Sequence, residues 1–399
     1  MKIKLQKKDL LRVVVLVVLL GAATLGLVYA FPYIRDWWLD LTTDPVPEPT
    51  NKEIAVKVLD WMNENRDKSG RYLAKVTCKI EDDGMDCNAV ESNQTGAPVI
   101  WAKFKHFEAF SDEDKSKEYL AQIDNDLDVY LDQSKVDTLQ INFWNCRFLQ
   151  EIYLSDKVSE SIREKALKMC SRNVYNPLLS QGFTENFSEQ EGYYDYVESV
   201  LTGDRSIYET ADKSFPLSEQ EPELISYAVY ASDEAAQFKM TEDDYYLERA
   251  EYFANQAASI YVNETAENRF FGDSTKCILG VALLDLYRAT ANDKYIRFAS
   301  EFGNNGDAIS TTADVNAMAV CGMFYNEMFS ELYYDNYLAD RGTFVVKAKR
   351  EFFDYDHEAF ASPINNFGAF YEPTYGDDGY NYSTVDNSLL VYLLVGLSR

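Results

Sequence analysis

The stretch LLDLYRATANDKY, residues 283–295, decides the fold because it contains one complete junction between two helices. An apolar run ends at the aromatic Tyr287, and Thr290 and Asp293 follow as residues that can cap a new helix. Related junctions, each with an aromatic residue followed by Ser and an acid, occur at Phe110-Ser111-Asp112, Tyr153-Leu154-Ser155-Asp156, Tyr230-Ala231-Ser232-Asp233 and Phe329-Ser330-Glu331. The chain therefore repeats a unit of two helices.

The two helices of each unit differ in polarity. Apolar helices are predicted to start near Pro98, Thr138, Pro222, Ser274, Ala313 and Val385. More polar helices with one apolar stripe are predicted over 53–65, 113–133, 156–175, 242–262, 293–303 and 334–353. A helix that is apolar on all sides has to be buried, whereas an amphipathic helix keeps one face in water. We therefore predict an all-α (α/α)6 barrel over residues 53–399, with insertions near 176–221 and 354–384, in which helix 385–398 closes the ring against 53–65.

The junction at 283–295 resembles the helical hairpin of six-hairpin glycosidase-like proteins, through Leu286-Tyr287, Thr290, Asp293 and Tyr295. The predicted ring extends this resemblance over about residues 50–399. It implies one of several functions, because such barrels include glycoside hydrolases, sugar epimerases, polysaccharide lyases and members with no activity. The epimerases generally depend on histidine, and this chain has only two, His106 and His357.

The N-terminus has the pattern of a membrane anchor. Residues 13–30 carry no charge, follow a basic segment over 1–12, and precede Trp37 and Trp38, which suit an interfacial aromatic belt. Such a run spans roughly 30 Å as a helix, the thickness of a bilayer core. We expect a cytoplasmic segment over 1–12, a single transmembrane helix over 13–34 and a proline-rich stalk over 35–52. A cleaved signal peptide is the alternative, although the apolar run is long for one.

An extracytoplasmic location for the barrel agrees with two further features. Sequons for N-glycosylation lie beyond the anchor at Asn93, Asn186, Asn263 and Asn381. The six cysteines form an even set, as is typical of an oxidising compartment. Cys78 and Cys87 flank a turn signal at residues 81–84, which predicts a hairpin disulfide. The pairing of Cys146, Cys170, Cys277 and Cys321 stays open, since they could equally be buried thiols.

The composition excludes several function classes. The net charge is −28, so the chain repels phosphate backbones and we expect no nucleic-acid partner. Two histidines and no CxxC spacing argue against a metal centre or a Ser-His-Asp triad, so we expect no metal and no cofactor. The calcium-like stretch 124–128 lacks the required glycine and falls inside a predicted helix. The acidity also favours a neutral or cationic glycan over a polyuronide.

Acidic residues near the start of the apolar helices are the candidate catalytic and binding groups, because in such rings these ends surround the central funnel. Glycoside hydrolysis requires two carboxyl groups, one protonated and one ionised. We predict catalytic roles for Asp377, Asp378, Asp273 and Asp314, and substrate contacts for Asp386 and Glu223. Each acid also has a structural interpretation. Asp273 could cap its helix, and Asp314 and Asp386 fit capping boxes at Thr311-x-x-Asp314 and Ser383-x-x-Asp386. The helix dipole favours an anion at Glu223, and Asp377-Asp378 could lie in a solvated turn.

The stretch NNFGAFYEPTYGDDGYNYSTVDN, residues 365–387, combines acids with aromatic rings that can stack on sugars. We predict substrate contacts for Tyr371, Tyr375 and Tyr380. The pair Asp377-Asp378 is similar to the paired aspartates of α-1,6-mannanase-like members, although there the pair lies elsewhere in the chain. A second aromatic stretch at 192–196 could cover the same funnel, and loop packing on the barrel rim is the alternative for both.

Three functions follow from these observations. The first is a membrane-anchored glycoside hydrolase with paired carboxylates that binds carbohydrate. The second is a catalytically silent barrel that binds glycan or supports a surface complex. The third is a membrane-assembly component that docks proteins, which would require an exposed apolar patch on an outer helix.

Overall fold

The computed structural model describes residues 49–81, 84–91, 96–132, 144–171, 221–267, 271–303, 315–332, 335–354, 358–360, 362–363 and 379–398. Contacts divide the chain into Met1–Thr50 and Asn51–Arg399, and the second unit is the one described below. The predicted segments 1–12 and 13–34 lie outside the described residues. No helix within the described residues is long and apolar enough to span a bilayer.

Twelve helices are present in the described residues, and they alternate in position. In chain order they are α1 (Asn51–Glu64), α2 (Gly96–Ala109), α3 (Asp114–Leu131), α4 (Asn145–Leu154), α5 (Glu160–Ser171), α6 (Glu221–Thr241), α7 (Asp244–Ala266), α8 (Asp273–Thr290), α9 (Asp293–Gly303), α10 (Val315–Leu332), α11 (Asp335–Glu351) and α12 (Thr384–Gly396).

The even-numbered helices form the predicted inner ring. Each contacts the next even-numbered helix, and α12 contacts both α2 and α1, so the ring closes as the apolar pattern requires. Burial differs accordingly, because 14 of the 18 residues of α10 are buried but only 5 of the 14 residues of outer helix α1 are. The mostly helical fold with an (α/α)6 arrangement is therefore confirmed.

One predicted helix end is wrong. The junction at Tyr230-Ala231-Ser232-Asp233 was expected to close the third inner helix, but α6 continues to Thr241. Ser232 and Asp233 are completely buried. The backbone N–H of Arg147 donates to Asp233 Oδ1 over 2.9 Å, so this acid binds the neighbouring inner helix α4 instead of capping the next helix.

Short strands add a sheet to the helical barrel. They are β1 (Leu73–Glu81), β2 (Gly84–Glu91), β3 (Phe353–Asp354), β4 (Ala359–Phe360), β5 (Ser362–Pro363) and β6 (Gly379–Ser383). Strands β2, β1, β6 and β5 form one antiparallel sheet in that order, and β3 pairs with β4. Part of the expected insertion near 354–384 is therefore a sheet, whereas the insertion near 176–221 lies almost wholly outside the described residues.

Three disulfides fasten the structure. Cys78 and Cys87 face each other across the hairpin β1–β2, as predicted. Cys146–Cys170 joins inner helix α4 to outer helix α5, and Cys277–Cys321 joins the neighbouring inner helices α8 and α10. The four cysteines whose pairing the sequence left open are therefore paired.

The close packing between α8 and α10 predicts opposite effects for two glycine-to-alanine substitutions. A Cβ atom on Gly280 would lie 2.5 Å from Phe324 Cε2, a rigid ring on the neighbouring inner helix, whereas a Cβ on Gly342 of outer helix α11 meets nothing within 4 Å. Gly280→Ala should lower the free energy of unfolding by about 1–3 kcal/mol through overpacking. Gly342→Ala should raise it by about 0.5–1 kcal/mol, because alanine is the better helix former.

Urea unfolding of the two variants measures both effects. Equal stabilisation by the two alanines would show that α8 and α10 are not packed as closely as described.

Candidate active site at the N-terminal mouth

Five of the six described inner helices, α2, α6, α8, α10 and α12, begin at one end of the barrel. The described part of α4 begins deeper in the ring, because Arg147 in its first turn contacts Asp285 and Glu327 in the C-terminal halves of α8 and α10. Outer helices α3, α5, α7, α9 and α11 follow the preceding inner helix after a short connection and pack against it. Short connections between packed helices make them antiparallel, so each of these outer helices runs back towards the end at which its inner helix begins. We call the end formed by the first turns of α2, α6, α8, α10 and α12 the N-terminal mouth.

The four-stranded sheet stands at this mouth. Strand β6 runs directly into α12, and Ser383 ends the strand and accepts a hydrogen bond from Asp386 N at the start of the helix. Strand β6 is also paired on both sides, with Cys78 and Pro363 both opposite Tyr380. Gly379, which follows Asp378 in the sequence, pairs with Lys79. The sheet thus fixes the chain immediately after the aspartate pair.

Towards the other end, a buried ionic cluster crosses the ring. Arg147 on α4 donates through Nε to Asp285 Oδ2 on α8 over 2.9 Å and through Nη2 to Glu327 on α10. Arg288 Nη1 donates to Glu327 Oε2 over 2.9 Å. We call Arg147, Asp233, Asp285, Arg288 and Glu327 the Arg147 cluster. Because α4 and α10 lie opposite each other in the ring, Arg147 spans its centre.

The protonation of this cluster follows from burial and charge. Burial alone would raise the pKa of Glu327, but the guanidinium groups of Arg147 and Arg288 hold the pKa below its ordinary value. Burial raises the pKa of Asp233 well above its ordinary value, although Arg147 N–H donates to it. Burial therefore favours the protonated form of Asp233, whereas the two guanidinium groups favour the ionised form of Glu327.

The Arg147 cluster acts as a floor. Asp285 and Glu327 lie in the C-terminal halves of α8 and α10. Near the cluster, Trp101 on α2 packs against Phe148 of α4 and Tyr392 of α12, with ring centroids 4.8 and 4.7 Å apart. Side chains from α2, α4, α8, α10 and α12 thus meet at this level of the ring, away from the first turns of α8 and α10.

Three of the predicted acids lie at the mouth, on three different inner helices. Glu223 is the third residue of α6 and is partly buried. Asp273 is the first residue of α8, after the N-cap residue Gly272, and its carboxylate lies 3.2 Å from Lys276 Nζ. Asp386 is in the first turn of α12 and is 6% exposed. The structure therefore brings these carboxylates to one end of the ring.

Asp386 is held by a residue that the sequence analysis did not select. Asn316, in the first turn of α10, donates from Nδ2 to Asp386 Oδ1 over 2.8 Å, and both side chains are buried. The predicted capping of α12 by Ser383 is also present, so Asp386 has both a structural position and a polar partner across the mouth.

Five of the predicted site residues lie outside the described residues, namely Asp314, Asp377, Asp378, Tyr371 and Tyr375.

The three acids of the calcium-like stretch 124–128 have structural partners. In the calcium-like stretch, Asp124 and Asp128 each lie 2.7 Å from Lys165 Nζ, and Asp126 lies 2.8 Å from the buried Lys103 Nζ. No group of His, Cys, Asp or Glu among the described residues could hold a metal ion. The Arg147 cluster was not predicted from the sequence, although the sequence contains a signal for it. Charged residues such as Arg147, Asp285 and Glu327 interrupt otherwise apolar helices.

Comparisons with known proteins support the fold. No family model matches the sequence, and no curated protein matches it. Among solved structures, a family 76 glycoside hydrolase (mannosidase) from Bacteroides thetaiotaomicron has a TM-score of 0.54 at 11% identity, over 87% of this chain and 98% of that chain. An unsaturated glucuronyl hydrolase from Bacillus sp. GL1 has a TM-score of 0.50 at 12% identity, over 88% of this chain and 95% of that one.

A third solved structure is a UGL variant in complex with the oligosaccharide dGlcA-Glc-Rha-Glc, with a TM-score of 0.52 at 12% identity, over 88% of this chain and 96% of that one. The three similarities cover nearly the whole length of each solved structure. Because the sequence identities are only 11–12%, they show a shared fold and nothing more. The chain therefore has the (α/α)6 barrel fold of these structures, as its helical junctions predicted.

Proposed function

We propose that this protein is an extracytoplasmic glycan-processing enzyme, a glycoside hydrolase that binds its substrate at the N-terminal mouth. The observation that carries the proposal is the position of Glu223, Asp273 and Asp386 in the first turns of three inner helices, at the end of the ring away from the Arg147 cluster. Carboxylates on separate helices can reach opposite faces of a sugar ring, as acid-base catalysis of glycoside cleavage requires.

The roles follow from position. Asp377 or Asp378, next to the fixed strand β6, supplies one catalytic carboxyl group, and Asp273 or Asp314 supplies the other. Asp386 and Glu223 hydrogen-bond sugar hydroxyl groups, and Tyr371, Tyr375 and Tyr380 offer aromatic faces for stacking. Asp386 is suited to orienting a substrate because Asn316 fixes its carboxylate.

A catalytically silent barrel that binds glycan is the second candidate. One observation favours it, since Asp273 is engaged by Lys276 and Asp386 by Asn316, so both acids already have structural partners. The two candidates agree on where the glycan binds and differ only in turnover.

We further propose that the barrel is anchored to the cell membrane by residues 13–34, with the C-terminal domain outside the cytoplasm. Three disulfides among six cysteines support an oxidising compartment. Asn263, one of the sequons, is exposed on outer helix α7, where a glycan could be attached.

The hydrolase proposal predicts that substitution of a catalytic aspartate lowers turnover, whereas substitution of an aspartate outside the site does not. Asp378→Asn and Asp273→Asn remove proton transfer while keeping side-chain size, so turnover should fall by about 10²–10⁴ for a catalytic acid or base. Asp293→Asn is the matched control, because Asp293 begins outer helix α9 at the opposite end of the barrel and its side chain is 68% exposed. Turnover of the control should be unchanged.

The measurement is hydrolysis of a panel of neutral and uronate-containing oligosaccharides by the purified ectodomain, with the melting temperature of each variant. Wild-type turnover in Asp273, Asp314, Asp377 and Asp378 variants alike would refute the assignment of these residues. Binding without turnover in the wild-type protein would favour the silent barrel.

The anchor predicts protection from protease. Positive charge before the apolar segment retains the N-terminus in the cytoplasm, so residues 40–399 should survive protease added to the cytoplasmic side of inverted vesicles. Digestion of the ectodomain under these conditions, with the vesicles intact, would contradict the orientation.

A further inference from the structure

Arg71 differs from the other buried cations of the described residues. Three cationic side chains are buried there, Lys103, Arg147 and Arg71. Lys103 is paired with Asp126, and Arg147 with Asp285 and Glu327. Arg71 is 2% exposed, yet its Nε and Nη2 have no hydrogen-bond partner. A buried charge without a partner is costly, so such a group calls for a ligand.

The carboxylate of Asp67, which interacts electrostatically with Arg71, does not hydrogen-bond the Nε or Nη2 of this guanidinium. Asp67 Oδ1 accepts hydrogen bonds from Ser69 N, Ser69 Oγ and the backbone N–H of Arg71. Burial alone would raise the pKa of Asp67, but these hydrogen bonds, with a smaller contribution from the Arg71 charge, hold the pKa below its ordinary value. Asp67 therefore orders the loop and leaves the side-chain donors of Arg71 unpaired.

The position of Arg71 is at the N-terminal mouth. The backbone N–H of the next residue, Tyr72, donates to Tyr130 Oη over 2.9 Å, and the Tyr130 ring packs on Gly96, the first residue of α2. Two residues after Arg71, the carbonyl oxygen of Leu73 accepts a hydrogen bond from the hydroxyl group of Thr384, the first residue of α12. Arg71 thus belongs to the segment that lies between the beginnings of two neighbouring inner helices.

The two unpartnered nitrogens define the chemistry of the ligand. Nε–H and one Nη–H form the side-on edge of a guanidinium, and this parallel pair of donors matches the two oxygens of a carboxylate. We infer that Arg71 is a subsite for the carboxylate of an acidic sugar, such as a uronic acid, at the mouth. The inference rests on the proposed glycan binding there and specifies the substrate class.

The proposed subsite takes a different class of sugar from the one that the net charge predicts. The overall charge of −28 favoured neutral or cationic glycans. Repulsion between exposed charges is screened within about 10 Å at 0.1 M ionic strength. A direct bidentate contact acts at hydrogen-bond distance and in a buried setting, so it decides the preference for one sugar residue even in an acidic protein.

The test uses sodium glucuronate and glucose as probes at constant ionic strength, set with sodium chloride. The melting temperature of the wild-type ectodomain should rise with glucuronate and not with glucose. Arg71→Gln should weaken the apparent affinity for glucuronate at least tenfold. Arg297→Gln is the control, because it removes the same charge from an exposed position on α9 and should keep the wild-type response.

Two further variants make the result decisive. Arg71→Met should raise the melting temperature without ligand, because it removes an unpaired buried charge, whereas a purely structural arginine would give a decrease. Arg71→Lys keeps the charge and loses the side-on edge, so it should respond weakly to glucuronate and serves if Arg71→Gln does not fold. An equal response to glucuronate in wild type and Arg71 variants, or no response in the wild type, would overturn the inference.

These outcomes separate the subsite from the proposed activity. A glucuronate response that depends on Arg71, without hydrolysis of any oligosaccharide, would retain the subsite and reject the hydrolase. Hydrolysis of neutral glycans that is unaffected by Arg71→Gln, with no glucuronate response, would retain the hydrolase and reject the subsite.

Discussion

Burial of six helices that are apolar on all sides is the constraint on which the rest of the structure depends. An inner helix such as α10 can bury its whole circumference only if it has an inner neighbour on each side and an outer helix behind it. A row of such hairpins would leave two apolar edges, and closing the ring removes both. The contacts of α12 with α2 and α1 provide this closure, between segments more than 270 residues apart in sequence.

Closing the ring places polar groups in two distinct settings along its axis. At the level of the Arg147 cluster, opposite charges from α4, α8 and α10 meet and are shielded from water, which fills the ring and fixes the relative positions of its helices. At the N-terminal mouth, acids lie in first turns, where helix dipoles favour them, and the sheet adds strand β6 beside them. The charges of the Arg147 cluster and those of the proposed site are thereby separated along the axis.

Local sequence patterns predicted the helices well, because each junction has its signal within a few residues. Outer helix α9 has the predicted bounds, 293–303, and the Cys78–Cys87 disulfide follows from a turn between adjacent strands. The extension of α6 through Asp233 escaped prediction, because the partner of Asp233 is on another helix. The pairing of β6 with β1 and of Cys277 with Cys321 likewise depends on the closed ring.

The candidate site could be predicted only in part, for the same reason. The position of Glu223, Asp273 and Asp386 at helix starts follows from the local pattern, and their convergence follows from the barrel. The contact between Asn316 and Asp386 and the unpaired donors of Arg71 depend on side-chain packing between distant segments, which no local pattern contains.

The central claim is that α12 completes the ring, and removal of its buried part tests this claim most directly. The chain that ends at Asn387 lacks Leu389, Leu390 and Leu393, all of which are buried in the core. Their loss exposes the apolar faces of α1, α2 and α10, at a cost well above the few kcal/mol of a single core substitution. Thermal unfolding of this truncated ectodomain should show a strongly lowered melting temperature or aggregation. A monomeric protein with an unchanged melting temperature would contradict the closed barrel.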